Sequence, residues 1–94
     1  MQSTTKAHQL IEDKARWTIR ADSRDQQGLP VDPIDPQAVY WCARGAIIKC
    51  YANPEPTLKL VNDESFKRHS RGLCGVNDSL GHGPIWNIMR DLDI

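Results

Sequence analysis

The stretch that decides the fold is DPQAVYWCARGAIIKCYANP, residues 35–54. Asp35 is a typical N-cap, and Pro36 suits the first position of a helix because that position needs no N–H donor. Apolar residues then recur at helical spacing until Pro54 provides a stop signal. The pattern therefore predicts a helix over residues 36–52, placed at the centre of the core.

Two residues inside this predicted helix bear on packing and chemistry. Gly45 would lie mid-helix, where glycine costs about 1 kcal/mol relative to alanine. We therefore expect another element to pack closely against it. Cys42 would lie about seven residues into the helix, beyond the first turn where the helix dipole acts, between the apolar neighbours Trp41 and Ala43. This placement favours a buried core cysteine.

Further helices are predicted on both sides of this stretch, at residues 5–16, 57–61, 63–71 and from residue 84 onward. A proline-rich segment over residues 22–36 and a glycine-rich segment over residues 72–83 are predicted as loops. Residues 73–76 are the other plausible extended piece. The sequence thus predicts a mainly α-helical single domain over residues 1–94, a small bundle of about four helices with two long loops.

The predicted core is apolar and follows the helical stripes. Its members are Leu10, Ile11, Trp17, Val39, Cys42, Ala46, Ile47, Ile88, Met89 and Leu92. We also expect the proline-rich loop to pack through Leu29, Val31 and Ile34.

Charge and targeting signals narrow the class of protein. The chain has 12 basic and 12 acidic residues, so neither a strongly basic nucleic-acid module nor an acidic tail protein is expected. No apolar run approaches the roughly 20 residues of a membrane span, and the first residues do not resemble a secretory signal. Three cysteines, an odd number, favour reduced thiols. We therefore expect a cytoplasmic protein of a cell or a phage, with no membrane partner.

The cysteines and histidines do not have the spacing of a metal site. Cys42 and Cys50 are eight residues apart, and so are Cys74 and His82, whereas zinc ligands usually come in closer pairs. The sequence also lacks the glycine-rich motifs that bind nucleotide phosphates. We expect no metal and no other cofactor.

Cys74 is the best candidate for a reactive thiol. It lies in Gly72-Leu73-Cys74-Gly75, after a basic cluster whose positive charge would favour the thiolate. Its possible catalytic partners are His69, His82 and Asp78. A small cysteine-dependent enzyme is therefore one alternative function, and in native protein Cys74 should be alkylated before Cys42.

Two further features suggest binding. Lys67, Arg68 and Arg71 form a basic cluster that would suit a nucleic-acid accessory protein, although the neutral chain makes nucleic acid an unexpected partner. Trp86 lies off the apolar stripe of the last helix. If exposed, it would mark a partner surface, because tryptophan is enriched at binding hot spots.

Five short motifs in the chain carry a resemblance. They are Trp17-Thr18, Arg24-Asp25-x-x-Gly28, Val31-Asp32-Pro33, Ala38-Val39-x-Trp41-Cys42-x-x-Gly45-Ala46 and Asn77-Asp78. With these motifs the chain resembles a domain-of-unknown-function family of small proteins, notable in actinobacteria and also met in phages. The resemblance implies a compact, mostly helical domain and no particular activity.

The resemblance also singles out Arg24, Asp25, Asn77 and Asp78 as candidate binding residues. They would form either a buried polar network or a groove between the two loops. In the network, Arg24 would pair with Asp78 or Asp25 and hold the proline-rich loop on the core. The leading functional prediction is a non-enzymatic protein-interaction module, derived from a phage or mobile element, that inhibits or adapts a host protein. The partner and the oligomeric state stay open.

Overall fold

The computed structural model describes residues 5–94 and is mainly helical, which confirms the predicted fold class. In chain order, its elements are α1 (Ala7–Leu10), a 3-10 turn (Lys14–Arg16), β1 (Ser23–Arg24), β2 (Tyr40–Trp41), α2 (Ala43–Cys50), α3 (Glu55–His69), α4 (Leu73–Gly75), a π-helical turn (Val76–Leu80) and α5 (His82–Asp91). Within residues 5–94, no helix is both long and apolar enough to cross a membrane.

The central helix is shorter than predicted, because its first part is extended. β2 pairs antiparallel with β1, so that Ser23 lies opposite Trp41. Asp35 caps a turn instead of a helix, and its carboxylate accepts a hydrogen bond of 2.8 Å from the backbone N–H of Gln37. Pairing with a distant strand thus overrides the local helical pattern. Val39 precedes β2 and is 39% exposed, so its predicted place in the core was wrong.

The predicted helix over residues 5–16 is also interrupted. Only α1 and the 3-10 turn are helical there, and the Asp13 carboxylate starts that turn by accepting a hydrogen bond from the backbone N–H of Ala15. After residue 54, by contrast, the helical structure is longer than predicted. The helices predicted at 57–61 and 63–71 are the single helix α3.

The glycine-rich segment is more regular than the predicted loop. α4 runs directly into the π-helical turn, so residues 73–76 are helical and not extended. Gly81 ends this helical run with a φ of 104°, a conformation that favours glycine. α5 then begins at His82, two residues before the predicted start.

The proline-rich segment contains little regular structure. Its apolar side chains are also more exposed than the sequence predicted. Leu29 and Ile34 are 61% and 63% exposed, whereas Val31 is half-buried.

The buried core joins α1, α2, α3 and α5. Six predicted core residues are buried, namely Ile11, Cys42, Ala46, Ile47, Ile88 and Met89. Leu10, Trp17 and Leu92 are partly buried against this core.

Gly45 has the close neighbour that its position predicted. The backbone N–H of Cys42 donates a 3.2 Å hydrogen bond to the carbonyl oxygen of Asp22, which brings that backbone over α2. A Cβ atom added to Gly45 would lie 1.7 Å from the same oxygen. Only glycine therefore allows α2 and residues 21–23 to approach this closely.

Candidate functional site

The side chain of Asn77 is the centre of a buried polar network. It is 1% exposed and makes four hydrogen bonds. Its Oδ1 accepts from the Trp17 indole at 2.8 Å and from the backbone N–H of Ala43 at 3.0 Å. Its Nδ2 donates to the Thr18 carbonyl at 3.2 Å and to the Asp78 carboxylate at 2.8 Å. The amide group is therefore used fully by the fold.

Arg24 makes a second set of hydrogen bonds within residues 18–28. Its guanidinium donates to the Thr18 hydroxyl at 3.0 Å, to the Gly28 carbonyl at 2.9 Å and to the Ile19 carbonyl at 3.1 Å. The predicted ion pair between Arg24 and Asp78 or Asp25 was wrong. Arg24 still anchors the loop, but through neutral oxygen atoms that no sequence motif reveals.

The two carboxylates singled out with Arg24 accept hydrogen bonds from backbone N–H groups. One oxygen of Asp25 accepts from the backbone N–H groups of Gln27 and Leu29, both at 2.9 Å, and so shapes a turn. Asp78 Oδ1 accepts from the backbone N–H of Arg20 at 3.1 Å, in addition to Asn77. The Asp78 contact ties Arg20 to the π-helical turn, whereas those of Asp25 stay within its own turn.

A cavity of about 260 Å³ opens beside this network, and we call it the thiol cavity. Its lining consists of Arg20, Ala21, Asp22, Cys42, Arg44, Leu73, Cys74, Asn77 and Asp78. The glycine-rich segment forms one wall, but the proline-rich segment contributes only Asp22 to the lining, so this cavity is not the predicted groove between the two loops. Residues 20–22 and the start of α2 form the opposite wall, where Arg44 and Asp22 make an ion pair.

Cys42 occupies the N-cap of α2 and not the middle of a helix, which corrects the sequence-based placement. Its Sγ accepts a 3.3 Å hydrogen bond from the backbone N–H of Gly45 and lies 3.9 Å from Asp22 Oδ1. Burial raises the pKa of the Cys42 thiol to about 11, although the Gly45 N–H acts in the opposite direction. The thiol is thus held in the protonated form at neutral pH.

Cys74 is exposed, as predicted, but the expected activation of its thiol was wrong. Burial of the sulfur raises the pKa of the Cys74 thiol, the negative charge of Asp78 raises it further, and the positive charge of Arg44 acts in the opposite direction. Of the basic residues before Cys74, Arg68 pairs with carboxylates instead. Arg68 is bound to Glu64 at 2.7 Å and to Asp91 at 2.9 Å.

The histidines predicted as partners of Cys74 lie elsewhere. Neither His69 nor His82 lines the two cavities that this cysteine lines. His69 ends α3. His82 Nε2 donates a 2.6 Å hydrogen bond to the Ile11 carbonyl, and its ring stacks on that of Trp86 at a centroid distance of 6.4 Å.

The other predicted binding residues are partly engaged. The Trp86 indole is half-buried and donates a 2.8 Å hydrogen bond to the His8 carbonyl, while the Arg90 guanidinium lies 5.1 Å from its ring centroid. In the basic cluster, Lys67 and Arg71 are exposed, whereas the ion pairs of Arg68 hold its charge on the protein. The positive charge that remains available to contact nucleic acid is therefore small.

Sequence reasoning missed a larger groove, which we call the Phe66 groove. It measures about 510 Å³ and runs between α3 and α4. Its lining consists of Arg44, Glu55, Leu58, Lys59, Asn62, Phe66, Gly72, Leu73, Cys74 and Gly75. Asn62 positions α4 along α3 by accepting a 2.9 Å hydrogen bond from the backbone N–H of Leu73.

The exposed ring of Phe66 distinguishes this groove, because 54% of the residue is accessible. Glu55, Lys59, Asn62 and Phe66 share one face of α3 at spacings of four, three and four. That spacing is the signal that could have revealed the groove. The sequence did not reveal this spacing because residues 57–61 and 63–71 were predicted as two separate short helices.

Comparison of the chain with protein-family models, with curated proteins and with solved structures found no match. Within the described residues, no group of three or more His, Cys, Asp or Glu side chains is arranged to hold a metal ion. The resemblance drawn from the sequence motifs therefore stays a prediction.

Proposed function

We propose that the protein is a non-enzymatic interaction module that binds a segment of a partner protein in the Phe66 groove. The observation that carries this proposal is the exposed Phe66 ring on the wall of a groove of about 510 Å³. Exposed aromatic rings beside concave surfaces are typical binding hot spots, since a partner side chain can cover them and exclude water. The partner segment would insert an apolar side chain between Phe66 and Leu58.

The contacts of the other polar candidates support a binding role over catalysis. Asn77, Arg24 and Asp25 use their hydrogen bonds for the fold itself. Polar groups that the fold does not need are what a catalytic site would offer to a substrate. The lining of the groove, by contrast, combines the apolar side chains of Leu58, Phe66 and Leu73 with the charged side chains of Glu55, Lys59 and Arg44.

An inhibitor or adaptor of a host protein, encoded by a phage or mobile element, is the role we propose for this module. A chain of 94 residues can cover a partner surface without supplying chemistry of its own. The cysteine-dependent enzyme is the alternative, because Cys74 is exposed on the wall of both the thiol cavity and the Phe66 groove. The raised pKa of its thiol argues against that alternative.

Capture of the partner from a lysate of the native host tests the proposal. Phe66→Ser should reduce capture at least tenfold, because it removes the aromatic anchor and leaves a half-exposed position with little effect on stability. Leu80→Ser is the matched control, since Leu80 is 40% exposed but lines neither of the two sites. Equal capture by wild type and Phe66→Ser would contradict the proposal.

A further inference from the structure

The thiol cavity brings together two cysteines that are 32 positions apart in the chain, counted from 42 to 74. Cys42 projects from the start of α2 and Cys74 from α4. The charge of a Cys74 thiolate is a minor cause of the raised pKa of the Cys42 thiol, after burial and the charge of Asp22. Both cysteines line this one cavity of about 260 Å³, and this shared lining is the observation on which the inference rests. Cys50 is the third cysteine, and it lines a separate cavity with Tyr51 and Pro54.

We propose that Cys42 and Cys74 are a dithiol modification site, which is oxidised to an intramolecular disulfide by exchange with a low-molecular-weight disulfide and thereby changes the Phe66 groove. The first half of this inference stands on the thiol cavity alone. The second half, the regulation of partner binding, rests on the proposed function.

The difference in exposure between the two thiols sets the order of the reaction. The small disulfide, RSSR, can reach Cys74, which is exposed, but not Cys42, which is buried. The Cys74 thiolate attacks one sulfur of RSSR, so the S–S bond of the oxidant breaks, a mixed disulfide forms and the leaving thiolate takes up the proton as RSH. Cys42 then attacks the Cys74 sulfur, loses its own proton and releases the second RSH. In total, two protein thiols are oxidised and one RSSR is reduced to two RSH.

Cys42 has neighbouring groups that favour this second step, although burial of its sulfur outweighs them. Its Sγ accepts the Gly45 N–H at the N-terminus of the eight-residue helix α2, where the helix dipole favours negative charge. Arg44 adds a positive charge on the same wall, but its ion-pair partner Asp22, whose Oδ1 lies 3.9 Å from the Cys42 sulfur, raises the pKa of that thiol. Burial works against both thiolates, so the exchange should be slower at neutral pH than that of a free cysteine. A slow, reversible disulfide is compatible with a reducing compartment, where such bonds act as sensors.

Cys74 connects this chemistry to the binding groove. Its side chain lies in the wall between the thiol cavity and the Phe66 groove. A bond to Cys42 would draw the sulfur into the thiol cavity and away from the groove. Leu73, the preceding residue, is tied to α3 through Asn62, so the movement is expected to alter the groove next to Phe66.

Incubation of the folded full chain with glutathione disulfide, followed by intact-mass analysis, tests the modification. Wild type and Cys50→Ser should each lose two hydrogens and retain no glutathione, and peptide mapping should find Cys42 joined to Cys74. Cys42→Ser should stop with one glutathione on Cys74, and Cys74→Ser should stay unmodified. The mapping of wild-type protein makes the result independent of how well the variants fold.

Two results would overturn the dithiol site: a wild-type product that keeps glutathione on Cys74, or a disulfide that involves Cys50. The regulatory half is tested by comparing partner capture by the reduced and the oxidised protein, where we expect at least a threefold difference. Equal capture would overturn the regulation. If Phe66→Ser also captured normally, the proposed function would fail separately, while a mapped Cys42–Cys74 bond would still stand.

Discussion

The helical core and the segment over residues 17–41 are stabilised by different kinds of interaction. In the core, fully buried aliphatic side chains from different helices pack together, among them Ile47, Val61 and Ile88. Residues 17–41 contribute few such side chains, and they are held by directed hydrogen bonds from Asn77 and Arg24. Apolar packing loses stability in proportion to the atoms removed, whereas a buried hydrogen-bond network fails when one member is lost. Substitutions should therefore separate the two regions.

Gly45→Ala should cause the largest loss of stability, because it disrupts the close contact between α2 and the Asp22 backbone, where the two regions meet. The added Cβ would lie 1.7 Å from the Asp22 carbonyl oxygen, and backbone cannot yield as a side chain can. We expect a loss of about 4 kcal/mol in the free energy of unfolding, measured by denaturant titration.

Gly83→Ala is the matched control for this substitution. Gly83 lies in the first turn of α5, and a Cβ atom added there would have no neighbouring atom within 4 Å. Alanine should stabilise the helix there by a few tenths of a kcal/mol to about 1 kcal/mol. Equal effects of the two substitutions would show that the close approach of Asp22 to α2 does not matter.

Asn77→Ala should rank second, with a loss of about 3 kcal/mol. It leaves the Trp17 indole and the Ala43 N–H without their acceptor inside the protein. Hydrogen exchange should increase most around residues 17–24, with less change in α5. Asn87→Ala, at an exposed position of α5, is the control and should cost well under 1 kcal/mol. Uniform acceleration of exchange across the chain would contradict a separate role for the network.

The Cys42 thiol predicts a loss of stability in alkali. The folded protein raises its pKa from 9.0 to about 11, so the neutral form is favoured by folding. This contribution is fully present below pH 9 and is lost as the pH rises toward 11, by about 2 kcal/mol. Cys42→Ser keeps an N-cap acceptor but has no group that titrates in this range. The difference in unfolding free energy between wild type and Cys42→Ser should therefore change over this interval, and a constant difference would refute the prediction.

Arg24→Lys should have the smallest of these effects, about 1.5 kcal/mol. Lysine keeps the positive charge, but it cannot reach the Thr18 hydroxyl and the Gly28 and Ile19 carbonyls at once. Exchange of the Val31 and Val39 amides, which bond to Ser23 and Arg24, should report the loosening of the loop. Arg16→Lys, at an exposed position, is the control and should be neutral. No change in these amides would indicate that the charge of Arg24 matters more than its geometry.

The sequence predicted the parts of the fold that depend on local patterns. The spacing of Ile85, Ile88 and Met89 was enough to predict α5, because each turn of a helix is specified by its own residues. The extended stretch before α2 was not predicted. Asp35 and Pro36 suit a helix start and a turn equally, and the choice depends on Ser23, which is distant in the chain.

The candidate site was likewise predictable from the sequence only in part. The motifs included Asn77 and Arg24, and both are hydrogen-bonded, but their partners could not be predicted because most are backbone N–H or carbonyl groups, which no side-chain motif identifies. Cys42 was misplaced along with the start of its helix. Phe66 was overlooked because its role depends on α4 lying beside a continuous α3.

The Asn77 side chain joins residues that are far apart in the sequence, and this separation affects the order of folding. Its partners Trp17 and Thr18 lie 60 and 59 positions earlier in the chain, and Ala43 lies 34 positions earlier. Contacts between such distant residues form late, because a long loop must close before they contribute. During synthesis, residues 17–24 therefore leave the ribosome long before the amide that holds them exists. We therefore expect residues 17–24 to dock late and a protease to cut the chain there first.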